Sequence, residues 1–185
     1  MSWTETLLHW YSENKRSFIW RQTKDPYKIW LCEVILQQTQ IKQGTPYYIK
    51  FISAYPTIKD LALAQEDSVL KLWQGLGYYS RARNLHLTAK IIFNKYKGVF
   101  PSNYRSLLKL PGVGEYTASA IASICFDLPE AVVDGNVYRF FSRYFGINVP
   151  INTSFAQRKF KLKASELMDR TKPGVFNQAL MEFGA

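Results

Sequence analysis

Leu110-Pro111-Gly112-Val113-Gly114 constrains this chain more than any other stretch of its sequence. The segments Tyr104–Leu110 before it and Glu115–Phe126 after it both read as helices, so a few residues must turn the chain between them. Glycine reaches positive φ without a Cβ penalty, and such a hairpin leaves backbone N–H groups exposed where the next helix starts. Those amides and the helix dipole together suit a phosphate oxygen. A plain corner between two helices would use one glycine, whereas this hairpin has two.

Helix punctuation continues along the chain. Ser2 with Glu5 spells a capping box ahead of Leu7, Leu8 and Tyr11. Asp25-Pro26 reads as an N-cap followed by a first-turn proline, opening a helix through Tyr27–Leu36. Thr57 with Asp60 starts a short helix through Leu63, and Val69–Trp73 runs into Gly75 as a stop. From Ser80 to Lys97, Ala82, Leu85, Ala89, Ile92 and Tyr96 recur at three- and four-residue intervals until Gly98. Ala156, Phe160, Ala164 and Leu167 mark a further amphipathic helix. Strand alternation is almost absent, and the pattern predicts about eight to ten short helices in an all-α protein.

Composition narrows the function. An apolar fraction of 47% with 16% aromatics excludes a disordered chain. No apolar run approaches the roughly 18 residues that cross a bilayer, and Met1 to Lys15 lacks a signal-peptide core, so the expectation is an intracellular protein without a membrane partner. Cys32 and Cys125 stand far apart in apolar runs, too few for a metal site, and read as buried thiols. Lys and Arg number 24 against 14 acidic residues, a net charge of +10, which favours a polyanionic partner.

Two acidic positions carry the candidate chemistry. Ile29, Trp30, Glu33 and Gln37 share a helix face by spacing, and a carboxyl among large apolar groups should have its pKa raised by desolvation, which suits a general acid. Asp134, in Val132-Val-Asp-Gly-Asn-Val137, reads alone as ordinary turn chemistry and gains weight only beside the hairpin and Glu33.

Taken together these motifs closely resemble the A/G-specific adenine DNA glycosylases of the helix-hairpin-helix superfamily. Trp73-Gln-Gly-Leu-Gly-Tyr-Tyr-Ser-Arg-Ala-Arg-Asn-Leu85 is a long and specific match. Trp20-Arg21, Glu33 to Gln40, Leu110 to Ala118, Asp134-Gly-Asn-Val137 and Phe176-Asn-Gln-Ala-Leu-Met181 extend it over almost the whole chain. The resemblance implies an all-α, two-lobed, endonuclease III-like fold. A six-helix barrel would span about 25–130 and hold the helix-hairpin-helix at about 104–125, with a second lobe from 1–24 and 131–185. Glu33 and Asp134 would then act across the two lobes. Past Gly184-Ala185 the family continues into a four-cysteine loop holding a 4Fe-4S cluster and a domain that helps recognise 8-oxoguanine; neither lies in this sequence. Cys32 and Cys125 stand in the wrong places to substitute for that loop, and the resemblance also implies a cation at the hairpin, through which the family often binds phosphate.

The resemblance also implies roles. Glu33 would protonate the adenine ring and Asp134 would stabilise the oxocarbenium-like sugar, the two-carboxylate logic of glycosidic cleavage moved to an N-glycosidic bond. That division asks for one protonated and one ionised group, which the apolar setting of Glu33 and the Gly/Asn turn of Asp134 would supply. Tyr116 and Asn136 would support the sugar chemistry, and Arg21, with Trp20 and Gln37, would line the base pocket. Gln38 and Tyr78 would wedge into the base stack, with Tyr79 in the core. Gly112 and Gly114 would bind the backbone through the hairpin, and Arg81, Arg83 and Lys109 would contact phosphates. Relatives that also cut the backbone carry a lysine where this chain has Tyr116, so the expected activity is monofunctional. The expected partner is double-stranded DNA with adenine opposite 8-oxoguanine or guanine, bound by a monomer, at the nucleoid in the cytoplasm if the chain is bacterial. The alternatives are a non-catalytic mismatch-binding fragment and a glycosylase for another mispaired base.

Overall fold

The computed structural model describes residues 2–185. Eleven α-helices and one 3-10 turn follow one another, and no strand occurs among the described residues. They are α1 (Trp3–Asn14), α2 (Pro26–Leu36), α3 (Ile41–Ala54), α4 (Ile58–Leu63), α5 (Glu66–Trp73), α6 (Ser80–Lys95), α7 (Tyr104–Leu107), α8 (Glu115–Phe126), α9 (Gly135–Tyr144), α10 (Ser154–Leu167) and α11 (Pro173–Gly184), with the 3-10 turn at Ile19–Gln22. No described helix is long and apolar enough to cross a membrane.

The starts announced by the sequence are built as capping chemistry requires. The Ser2 hydroxyl accepts from Glu5 N while the Glu5 carboxylate accepts from Ser2 N, and Thr57 and Asp60 repeat the exchange at α4. Asp25 accepts from Tyr27 N ahead of Pro26. Gly98, at φ +80°, stops the run after α6, its N–H reaching back to Ile92 O.

Three helices escape the periodicity. α3 contains Pro46, whose missing donor reads as a breaker, yet the helix runs on through it. α9 follows a sequence that reads as a turn, and α11 opens on Pro173-Gly174. In the other direction, only Tyr104–Leu107 of the expected Tyr104–Leu110 helix forms α7; beyond it Lys109 N and Leu110 N turn back on Ser106 O and Leu107 O in tighter three-residue turns ahead of Pro111.

The chain divides into two compact units. One is continuous, Gln22–Ala118; the other joins both ends, Met1–Arg21 and Ser119–Ala185, so the second boundary falls inside α8. In the continuous unit α4 and α5 pack on α6 and α2 packs on α3, with Trp30, Leu31, Ile35, Phe51, Leu61, Trp73, Leu85 and Ile92 at most 1% exposed. Fully buried side chains of this size contribute about 1.5–3 kcal/mol each. In the terminal unit α11 packs on α1 and α9 around Val137, Phe141, Phe160, Phe176 and Leu180.

Candidate active site

The hairpin rests on α6. Gly112 takes φ +74°, and a Cβ there would stand 2.9 Å from Asn84 Cβ, so both conformation and space exclude a side chain. Thr88 Oγ1 donates to Pro111 O at 2.8 Å, and Val113 N closes the turn on Leu110 O at 3.1 Å. Gly114 differs from expectation: it lies outside the left-handed region, with nothing within 4 Å of an added Cβ. Its contribution is openness rather than torsion, leaving the first amides of α8 approachable. Glu115 lies in the first turn of that helix, exposed, and places a negative charge beside the same N-terminus.

Glu33 sits half-buried on α2, flanked by buried Cys32 and Val34 and following buried Ile29, Trp30 and Leu31. Gln37 is not on its helix face: α2 ends at Leu36, and Gln37 is the C-cap with ψ +118°. Its side-chain amide instead donates to Thr117 Oγ1 at 3.4 Å, on the helix that carries half-buried Tyr116.

Gln38 and Tyr78 share an unusual property. Both are exposed, Tyr78 by 66%, and both adopt left-handed backbone, at φ +51° and +47°. Tyr79, expected in the core, is 39% exposed at the N-cap of α6. Arg83 lies on the surface, 3.7 Å from Glu66, and Lys109 is exposed beside the hairpin.

Arg81 is the clearest departure. Instead of presenting its charge to a phosphate, it points inward, with Nη1 donating to Val34 O (3.2 Å), Ile35 O (3.1 Å), Gln37 O and Thr39 Oγ1 (3.3 Å), and Nη2 to Leu76 O (3.2 Å) and Gly77 O (3.5 Å). Two of these carbonyls close the last turn of α2, where helix geometry leaves them without amide partners and the dipole is negative. Burial pulls the Arg81 pKa down.

In the terminal unit, Asp134 is the N-cap of α9 rather than a bare turn residue. Its Oδ1 accepts from Val137 N and its Oδ2 from Asn136 Nδ2, both at 2.9 Å. Arg139 Nη2 in turn donates to Asn136 Oδ1 at 2.9 Å and to Gly184 O. Burial nevertheless pushes the Asp134 carboxyl above the usual aspartate range, against the pull of Val137 N–H and Asn136. The expected contrast between an elevated glutamate and an ordinary aspartate therefore does not hold for Asp134.

Trp20 is buried in the 3-10 turn and stacks on Phe18, ring centroids 5.1 Å apart. Arg21 lies 4.7 Å from the Phe18 ring centre and donates to Glu182 Oε2 at 2.7 Å, while Arg16 donates to the same carboxylate at 2.6 and 2.9 Å. Burial alone would raise Glu182, but the hydrogen bonds from Arg16 and Arg21 outweigh it and hold the carboxyl at about 2.

Several of these partners went unnoticed in the sequence. Glu182 stands in Leu180-Met-Glu-Phe183, an acid in an apolar helix, which is a signal of a buried ion pair. Its helix also brings Gly184 against Asn136, where a Cβ would lie 2.4 Å from Asn136 O. Fully buried Asn177 donates to Ser123 Oγ and Glu130 O, both at 2.8 Å, and accepts from Val132 N at 3.1 Å, fixing the segment that leads into Asp134. One helix, α11, thus braces both Arg21 and the Asp134 cap. Of the proposed residues, Trp20, Arg21, Asp134 and Asn136 belong to the terminal unit and the others to the continuous one.

A glycine hairpin feeding a helix, in a chain of two all-helical units, defines a helix-hairpin-helix protein. Residues 31–164 match the family described as HhH-GPD superfamily base excision DNA repair protein. The chain belongs to that family. It is 43% identical over 182 residues to an adenine DNA glycosylase of Buchnera aphidicola subsp. Baizongia pistaciae, matching 98% of this chain and 51% of that protein. The adenine DNA glycosylase of Homo sapiens is 43% identical across 97% of this chain and 35% of its own length. The chain thus spans about half the length of the bacterial relative, or less of the human one. Among solved structures, a thermostable thymine-DNA glycosylase superposes with TM-score 0.89 at 32% identity, covering 98% of this chain and 84% of that one. A trapped endonuclease III–DNA covalent intermediate shares the fold, with TM-score 0.81 at 19% identity over 97% and 82%.

Cys32 is buried in α2 and Cys125 lies near the end of α8; no three or more His, Cys, Asp or Glu gather into a metal-binding group among the described residues.

Proposed function

We propose that this chain is a DNA glycosylase that hydrolyses the N-glycosidic bond of adenine in a mispair with guanine or 8-oxoguanine, leaving an abasic site. Relatives named adenine DNA glycosylase along nearly all of its length support the substrate, and the net charge of +10 with the open hairpin supports duplex DNA as partner. The observation that carries the choice of adenine is Glu33, half-buried on a helix whose other residues from Ile29 to Leu36 are all apolar. An acid there can protonate N7 of adenine and turn the base into a neutral leaving group. Thymine has no such nitrogen, which sets this reading apart from that of the thymine-removing structural neighbour.

Asp134 answers the positive charge that develops on the sugar. Its carboxylate is held by Val137 N–H and Asn136, with Arg139 behind Asn136, so it meets that charge without reorganising. It must be ionised to do so. Because its pKa is raised, the acid limb of the rate profile should sit above that of an ordinary aspartate, with excision falling as pH drops through it. Tyr116 offers no amine for a Schiff base, so the abasic strand stays intact. A cation at the hairpin would reconcile a backbone phosphate with the Glu115 charge at the same helix start.

Single-turnover excision on duplexes with A opposite 8-oxoguanine, A opposite G and T opposite G tests the assignment, with products analysed before and after alkali. Adenine release, with strand breaks only after alkali, is expected. Glu33→Gln should lose excision by about two to four orders of magnitude while retaining mispair binding. Normal excision by that variant, or thymine release by the unsubstituted chain, would overturn the reading; prompt strand breaks would overturn its monofunctional part.

A further inference from the structure

Arg81 carries a role that the phosphate assignment missed. Its guanidinium lies between two separate turns of the continuous unit. Nη1 reaches the carbonyls that end α2 and the Gln37–Thr39 turn, while Nη2 reaches Leu76 O and Gly77 O ahead of α6. Its flat face is backed by the Trp73 ring, 5.1 Å from centroid to guanidinium carbon, and Trp73 Nε1 donates to the same Gly77 O at 2.9 Å. Each turn contains one exposed non-glycine residue in left-handed backbone, Gln38 in the first and Tyr78 in the second. Left-handed geometry is unfavourable for an ordinary residue, so each turn would relax if nothing held it. Lys97 and Asp127 also have positive φ, but neither adjoins a carbonyl that Arg81 reaches.

We infer that Arg81 is a positioning residue that clamps the Gln38 and Tyr78 turns to one another, so that the two exposed side chains stand ready as a pair before DNA arrives. This rests on the reading of Gln38 and Tyr78 as the wedges that replace a flipped base. A planar fork with several N–H groups spans the two turns, whereas an ammonium is a point charge without that fork and cannot hold them to one another. The clamp therefore acts on opening the duplex rather than on breaking the glycosidic bond.

Arg81→Lys and Arg81→Met test this through two independent readouts on the full chain. The first is amide hydrogen exchange of the free protein. Thr39 N–H, bonded to Leu36 O at 3.2 Å, and Leu76 N–H, bonded to Trp73 O at 3.1 Å, report the two turns. Both should exchange about tenfold faster or more in the lysine variant, while amides in the middle of α6 keep their protection. The second compares single-turnover excision of adenine opposite guanine with adenine opposite an abasic analogue, where little unpairing is needed. Loss should be about ten- to a hundredfold on the paired substrate and within about threefold on the unpaired one, with an unchanged pH profile. Unchanged exchange, loosening of only one turn, or equal loss on both substrates would each overturn the clamp. If the methionine variant does not fold, the lysine variant decides. If the unsubstituted chain excises neither substrate, the glycosylase reading fails, while the exchange data still judge the clamp.

Discussion

Glu182→Gln probes the ion cluster that holds Arg21. The carboxylate accepts from Arg16 Nε at 2.6 Å, Arg16 Nη2 at 2.9 Å, Arg16 N at 3.0 Å and Arg21 Nη2 at 2.7 Å, with 4% of its side chain exposed. Glutamine keeps the shape but has a single oxygen acceptor and turns an NH2 toward two guanidinium groups. Removing one partner of a buried pair costs about 3–5 kcal/mol. Arg16 is 51% exposed and regains water, so the low end applies, about 3 kcal/mol. The position of the Glu182 carboxyl, about 2 against an ordinary 4.5, gives a similar figure, roughly 3 kcal/mol. A folded pKa below the unfolded one means this stabilisation is complete well above pH 4.5 and is lost as pH falls toward 2. Linkage gives losses of about 1 kcal/mol by pH 4 and about 2 by pH 3. Urea unfolding of both proteins at pH 7, 4 and 3 measures it. The gap should shrink from about 3 to roughly 1 kcal/mol, and Tm at pH 7 should drop by about 6–12 °C. A gap that stays constant with pH, or one below about 1 kcal/mol at pH 7, would refute the reasoning.

Asp134→Asn separates capping from chemistry. Asparagine caps as well as aspartate and removes a carboxylate whose burial is unfavourable at neutral pH, so thermal stability should hold or rise while excision collapses; a large loss of Tm would contradict the capping geometry. Gly112→Ala forces a Cβ to 2.9 Å from Asn84 at φ +74°, so a loss of about 1–2 kcal/mol is expected in chemical unfolding, together with weaker duplex binding. If about six to ten phosphates are contacted, titrations from 50 to 200 mM salt should show affinity falling roughly 10³–10⁵-fold; a flat response would remove DNA as the partner.

The helix starts were readable because capping is local: Ser2, Asp25 and Thr57 meet their amides within three residues. The all-helical class followed from the same signals. What stayed hidden depended on distant groups. Asp134-Gly-Asn looks like a turn until α9 is seen to begin there. Arg81 sits among Arg83 and other basic residues, and nothing nearby in sequence reveals that carbonyls at 34–37 and 76–77 converge on it. Gln37 left its expected helix face because α2 stops one residue earlier. Pairing between charges 161 and 166 residues apart, as for Glu182, leaves only the oddity of an acid among apolar neighbours as a trace.

Apart from Thr39 Oγ1, every oxygen that receives the Arg81 guanidinium belongs to the main chain. Side chains at 34, 35, 37 and 76 can therefore drift among relatives without disturbing the grip, provided the loop lengths keep the carbonyls in register. Insertions or deletions there should be purged where substitutions are tolerated. The positions that lend only a carbonyl would then be free to vary in composition while the two turns remain locked in shape.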